Sequence, residues 1–362
     1  MKTRSTLLIL ITFMLSISSC SEQQAPKQEF MVGADISILK MMEDLGAVYK
    51  VNGTPTAPLE IFTSNGYNYA RLRIFNNPNM RGPVCNSLDY TIDLAKQTKA
   101  AGMKLLLDFH YSDTWADPQH QIKPAAWDSI TFEALTDSVF SYSKTVIAAM
   151  DAAGVIPDMV QVGNEITPGF IWPDGKIYKD GNEDWESFCT LLNAGINGTK
   201  AAYGDIDVPI MIHIDKGGDL NATSKFFHKI EEYGVEYDLI GLSYYPWWHG
   251  TFDDLEKNLT WLSEHKTQDI VLVETAYYSN GYYPEPAEWV LDIQPFPPTE
   301  QGQYDFLHTL DSIAHIYPKV KGIFYWQPEE IKVPGKKEWV IGRSLFDDDG
   351  NVLKGITAIK EN

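Results

Sequence analysis

The sequence predicts an α/β protein folded as a single-domain (β/α)8 TIM barrel, and three observations lead there. From residue 31 onward, eight short runs rich in β-branched and aromatic residues alternate with longer stretches of helical spacing. Several of those stretches close on a glycine just before the next strand, as αβ junctions usually do. The chain of 362 residues shows no linker to a second domain. It also lacks the glycine-rich turn that a doubly wound open sheet would normally carry after its first strand.

Taken in order, the strand runs are MVGADIS (31–37), YARLRIFN (69–76), KLLLDFHY (104–111), DMVQVGNE (158–165), PIMIHID (209–215), LIGLSYYP (239–246), DIVLVETAYY (269–278) and VKGIFYWQ (320–327). Helices are expected over 88–102, 131–154, 184–204 and 221–234, among others. The first connection, 38–68, reads as a long loop, and a second long, proline-rich loop (NGYYPEPAEWVLDIQPFPPTEQGQ) follows the seventh strand. Eight β-then-α units in a chain of this size are what a closed barrel requires.

Residues 1–19 read as an export signal: a basic start, MKTR, then the apolar LLILITFML, too short to span a membrane as a helix. Ile17-Ser18-Ser19-Cys20 resembles the bacterial lipobox, which makes Cys20 a lipidation site and 20–30 a polar tether before a catalytic domain over 31–362. That reading places the protein in the bacterial outer membrane, held only by its lipid, and leaves open which side it faces. A formal net charge of -20 argues against nucleic acid as a partner, because too little positive charge is present to neutralise phosphates. Cys85 and Cys189 could form one disulfide or remain two buried thiols, and no cysteine spacing suggests a zinc site.

The active site of such a barrel gathers at the C-terminal ends of its strands. There the sequence places Asp35, Arg71 and Arg73, Asp108 with His110, Asn164-Glu165, His213 and Asp215, the run Tyr244–His249, Glu274, and Trp326-Gln327. A single charge at a strand end is more often a salt bridge or a turn former. Two glutamates at strands four and seven, across the ring from each other and accompanied by arginines and aromatics, form a stronger pattern. They are the carboxylate pair that glycoside hydrolysis needs: one protonated to serve the leaving oxygen, one ionised to attack or to activate water. Nearby arginine lowers a carboxylate pKa, so the glutamate closer to Arg71 and Arg73 should be the nucleophile. Strand two is adjacent to neither strand four nor strand seven, and the sequence leaves that choice open.

The segments GADIS (33–37), RLRIFNNP (71–78), DFHYSDTWADP (108–118), QVGNEI (161–166), SYYPWWHG (243–250), VETAYY (273–278), GIFYWQPE (322–329) and SLFDDDG (344–350) resemble the endo-β-1,4-galactanases of glycoside hydrolase family 53. The resemblance spans nearly the whole chain after the signal. It implies a retaining enzyme acting on (arabino)galactan side chains of pectin, with Glu165 as acid/base and Glu274 as nucleophile. Asn164 would bond the hydroxyl beside the anomeric carbon, and Arg71 or Arg73, with Tyr244, would hold the nucleophile. Asp108, His110, Trp115, Asp117, Trp247, Trp248, His249 and Trp326 would contact the sugar chain. No metal or other cofactor is expected; some bacterial relatives hold calcium in the loop after strand seven, but here that loop lacks Asp-x-Asp spacing. The FDDDG segment reads as a turn, and a monomer is expected. Two rival functions remain at this level: a retaining mannanase or xylanase of the same clan, and a surface lipoprotein that binds glycan without cutting it.

Overall fold

In the computed structural model, which describes residues 29–281, 293–339 and 342–360, all eight predicted runs form strands. They are β1 (Met31–Asp35), β2 (Tyr69–Ile74), β3 (Lys104–Phe109), β4 (Met159–Val162), β5 (Ile210–Ile214), β6 (Leu239–Ser243), β7 (Asp269–Thr275) and β8 (Val320–Trp326). All pair in parallel with their neighbours in chain order, and β8 closes onto β1 with Asp35 opposite Trp326. The signal segment, Cys20, most of the tether and residues 282–292 of the proline-rich loop lie outside the described residues.

All eight strands stop one to three residues short of their predicted C-terminal ends, because the chain there peels away from its neighbours. The first connection is less loop-like than expected. It carries α1 (Leu39–Leu45), α2 (Pro58–Ser64) and a minimal hairpin pairing Lys50–Val51 with Thr54–Pro55. The apolar positions Leu39, Met42, Ile61 and Phe62 anchor those two helices, and α2 starts on a proline, which suits a first turn where the N–H has no helical partner. The predicted long helices appear as α3 (Leu88–Ala100), α4 (Phe132–Ala152), α5 (Trp185–Tyr203) and α6 (Leu220–Glu232). Ser87, Thr131, Asp184 and Asp219 cap their N-termini through side-chain oxygens, each cap stabilising by about 1 kcal/mol. Glycines at 102, 154, 204 and 234 follow these helices with positive φ, the conformation that ends a helix and that a side chain resists.

Two cores separate by depth. The larger lies between the strands and the surrounding helices. The smaller fills the barrel's N-terminal half with Met31, Tyr69, Leu106, Met159, Met211, Leu239, Val271, Val273 and Phe324, all pointing inward. Phe324 packs so closely on β1 that a Cβ at Gly33 would meet its ring at 2.2 Å, so only glycine fits there. Above this plug the interior changes character: the next inward layer is Asp35, Arg71, Asp108, Gln161, His213 and Ser243, all buried. The apolar layer thus carries a polar one on its C-terminal side. Cys85 and Cys189 are two separate buried free thiols. The FDDDG segment is a turn, in which Asp347 accepts from the backbone N–H groups of Asp349 and Asn351.

Candidate active site

Backbone irregularities bring the two glutamates to the cleft. β4 stops at Val162; Gly163 and then Glu165 take positive φ (85° and 50°), turning the chain out of the barrel wall. A non-glycine residue in that region costs on the order of 1–3 kcal/mol, strain that clusters at functional positions. On β7 the register slips by one against both neighbours: Gly241 faces Val271, yet Ser243 faces Glu274. Strict alternation from the inward Val271 and Val273 would point Glu274 outward; the bulge turns it in.

Arg71 is the hub beneath. Its guanidinium contacts Glu274 Oε2 at 3.0 Å, Asp35 Oδ2 at 2.9 Å and Asp108 Oδ2 at 2.9 Å, and donates to Gln161 Oε1 and to Asn164 Oδ1 (2.7 Å). It reaches Glu274 by crossing the barrel interior, which settles the distance question that strand order alone left open. Arg73, one layer nearer the mouth, donates to Asn86 and lies 3.9 Å from the centre of the Trp115 ring. Of the two arginines, Arg71 is the one on Glu274.

The two glutamates therefore sit in different fields. Burial raises the Glu274 pKa, with Arg71 pulling it back down and a hydrogen bond from the Tyr245 hydroxyl (2.9 Å to Oε1) helping. Among the described residues Glu165 forms no ion pair. Burial first, and then the Glu274 charge, hold its pKa well above the ordinary carboxylate value, against a single hydrogen bond from Ser243 (2.7 Å). Ser243 in turn lies 2.8 Å from His213 Nε2, whose Nδ1 is 2.9 Å from Asn164 Oδ1. Burial and the Arg71 charge depress His213 well below the usual imidazole range, so it stays neutral. Oxygens of Glu165 and Glu274 and a nitrogen of His213 lie within 4.8 Å of one another, and among the described residues this is the one grouping with metal-ligand geometry. A cation there would compete with Arg71, 3.0 Å from the Glu274 carboxylate, which makes a metal a poor fit.

Several residues expected at the sugar chain do other work. Asp108 is fully buried; burial opposes its ionisation, but Arg71 and His110 outweigh that and hold its pKa at about 2. It braces Arg71 from below and cannot touch a ligand in the cleft. His110 spends one ring nitrogen on Asp108 and the other on the Ala116 N–H, so it pins the loop that carries Trp115. Trp247 is buried against Tyr245 and Tyr278, while Trp248 is 46 % exposed. His249 accepts from the Tyr245 N–H and its pKa is lowered to about 4, chiefly by burial. Trp115 and Trp326 are half-buried neighbours with ring centres 6.0 Å apart, and Asp117 is partly exposed and caps the turn to His120. Asn164 is buried beside Glu165, its amide N–H bonded to the Ala116 carbonyl.

One assignment changes. The Tyr244 hydroxyl donates to the Gly250 carbonyl on the outer side of the wall, and it is Tyr245 that holds Glu274. The signal was available, since inward positions on β6 run Gly241, Ser243, Tyr245 at a period of two. The same count would have found Ser243, and Gln161 precedes Asn164 by three on β4. Among the described residues two buried carboxylates thus lie close together, one clamped by arginine and one whose ionisation burial opposes.

Comparison with known proteins places the chain in a family. Residues 31–359 match the family model for glycosyl hydrolase family 53. An uncharacterised protein of the bgaB 5′ region in Niallia circulans is 40 % identical over 352 residues, covering 92 % of this chain and 94 % of its own. A probable arabinogalactan endo-β-1,4-galactanase A of Aspergillus terreus is 35 % identical over 314 residues, covering 84 % and 86 %. Among solved structures, the family 53 catalytic domain of Ignisphaera aggregans superposes with a TM-score of 0.83 at 31 % identity, covering 93 % of this chain and 96 % of that one. The chain is a glycoside hydrolase and belongs to family 53.

Proposed function

We propose that the protein is an exported, lipid-anchored endo-β-1,4-galactanase that cuts internal bonds of β-1,4-galactan by double displacement. The observation that carries the mechanism is the unequal treatment of two carboxylates whose oxygens come within 4.8 Å. Such closeness leaves no room for a water between carboxylate and sugar, as an inverting enzyme needs, and suits a separation of about 5–5.5 Å between carboxyl groups. The substrate assignment leans on the galactanases among the relatives and on the cleft motifs shared with them.

In the first step Glu165, kept protonated by its burial, gives its proton to the glycosidic oxygen as that bond breaks. The Glu274 carboxylate, oriented by Arg71 and Tyr245, bonds to the anomeric carbon and forms a glycosyl ester. Glu165 is now the anion. It takes a proton from an entering water, whose oxygen attacks the same carbon and releases Glu274, restoring both groups. Asn164, held by Arg71 and Ala116 at the edge of this space, is placed to meet the neighbouring sugar hydroxyl.

Product release by protein beginning after Cys20 tests the reading, with linear β-1,4-galactan, β-mannan and xylan as substrates. Short galacto-oligosaccharides of mixed size, appearing early and from galactan alone, are expected. Cleavage of mannan or xylan instead would keep the mechanism and discard the substrate. Globomycin-sensitive labelling of Cys20 by radioactive palmitate, in cells expressing the full chain, is the expected sign of the anchor.

A further inference from the structure

Arg343 lies in the segment after β8 and is only 9 % exposed. Its guanidinium carbon sits 4.9 Å from the ring centre of Trp326, 5.8 Å from Tyr245 and 5.9 Å from Tyr278. Among the described residues this guanidinium makes no hydrogen bond and no ion pair, and its Nε is buried without a partner. The contrast with Arg71, which meets three carboxylates, is complete. Aromatic faces offset part of the cost of keeping a cation there, but they do not satisfy N–H donors. A native buried donor left unpaired calls for an explanation, and a ligand is one.

Its surroundings say which ligand. Arg343 ends a row that runs Arg73, Trp115, Trp326, Arg343, with contacts of 3.9, 6.0 and 4.9 Å. The row borders the nucleophile, because Tyr245, against whose face Arg343 lies, donates to Glu274. Half-buried Trp326 offers an apolar surface for a sugar ring, and the fork beside it offers donors to that ring's oxygens. The nearby carboxylates Glu165, Glu274 and Asp35 disfavour an anionic sugar. An internal 1,4-linked galactosyl unit leaves O2 and O3 free as a vicinal pair, a spacing that a planar guanidinium can span.

Resting on the galactanase reading, we propose that Arg343 is a substrate-binding residue that donates to vicinal hydroxyls of a galactosyl unit lying against Trp326. It thereby strengthens binding on the nucleophile side of the cleft and helps fix where the chain is cut.

The test compares Arg343→Met and Arg343→Lys with the native enzyme on β-1,4-galactan. It also measures galactotetraose binding calorimetrically in a Glu274→Gln background with and without Arg343→Met. Loss of the charge-assisted hydrogen bonds predicts a KM about tenfold or more higher for Arg343→Met with kcat within about twofold, partial recovery in Arg343→Lys, and binding weakened by the same factor. Melting temperature should change little. Unaltered KM and binding would overturn the proposal, as would a fall in kcat and melting temperature with KM unchanged, the mark of a purely structural role. Weaker binding of an oligogalacturonide but not of the neutral tetraose would also overturn it. If the native enzyme cuts a different β-glycan, the galactanase reading fails by itself, and the KM comparison on that glycan still decides whether Arg343 binds sugar.

Discussion

The two sides of the cleft are built from opposite materials. Around Glu274 the barrel supplies a cation, a phenol and a lattice of fixed charges: Arg71, Tyr245, Asp35 and Asp108. Around Glu165 it supplies burial, one serine hydroxyl and a neutral imidazole behind it. Identical side chains thus sit in opposite electrostatic settings, from which the proposed division of tasks follows.

The most severe way to break the contrast is to remove the proposed nucleophile. Glu274→Ala should lower kcat on galactan on the order of 10⁵-fold, and added azide should yield the inverted glycosyl azide, read by NMR. Retained configuration in that product would contradict the nucleophile assignment. Glu165→Ala should cost roughly 10²–10⁴-fold on galactan but far less on an aryl galactoside whose leaving group needs no proton. It should also abolish the basic limb of the pH–rate profile. An equal loss on both substrates would argue against Glu165 as the acid.

Finer changes sharpen the comparison. Tyr245→Phe deletes a hydrogen bond that lowers the Glu274 pKa, so that pKa should rise and the acid limb of kcat/KM should move to higher pH. Activity at the optimum should fall about tenfold. Tyr244→Phe should leave that limb in place, since its hydroxyl bonds Gly250. The smallest effect is expected from Ser243→Ala. Its hydroxyl lowers the Glu165 pKa, so removing it should carry the basic limb upward with only a few-fold change in rate. Movement of the acid limb instead would mean that the two carboxylates titrate in the opposite order.

Much of this is legible in the sequence, and the exceptions have physical causes. Period-two and 3.6-residue patterning carry strand and helix identity, so the eight strands and the barrel were within reach. Glu165 and Glu274 were recognisable as strand-end carboxylates, but the left-handed turn and the bulge that aim them are backbone events without a side-chain signature. Depth was the harder quantity. Asp108 looks like a cleft residue because it ends a strand, yet it lies a layer below the cleft, and layer depth depends on strand stagger; His110 spends both ring nitrogens on Asp108 and Ala116. Tyr244 and Tyr245 are chemically identical and adjacent; only the pleat distinguishes them. Arg343 belongs to a segment beyond β8 whose approach to Tyr245 is purely tertiary.

The Arg71 hub also bears on how the enzyme should fail. Its partners come from β1, β3, β4 and β7, so one side chain laces together strands that are not all neighbours in the wall. An active site carried on independent loops can melt while the scaffold persists. Here the catalytic geometry and barrel closure share the same contacts, so they belong to one cooperative unit. On heating, catalytic activity and the most protected strand amides should disappear over the same interval, with little room for a folded but inactive barrel between them.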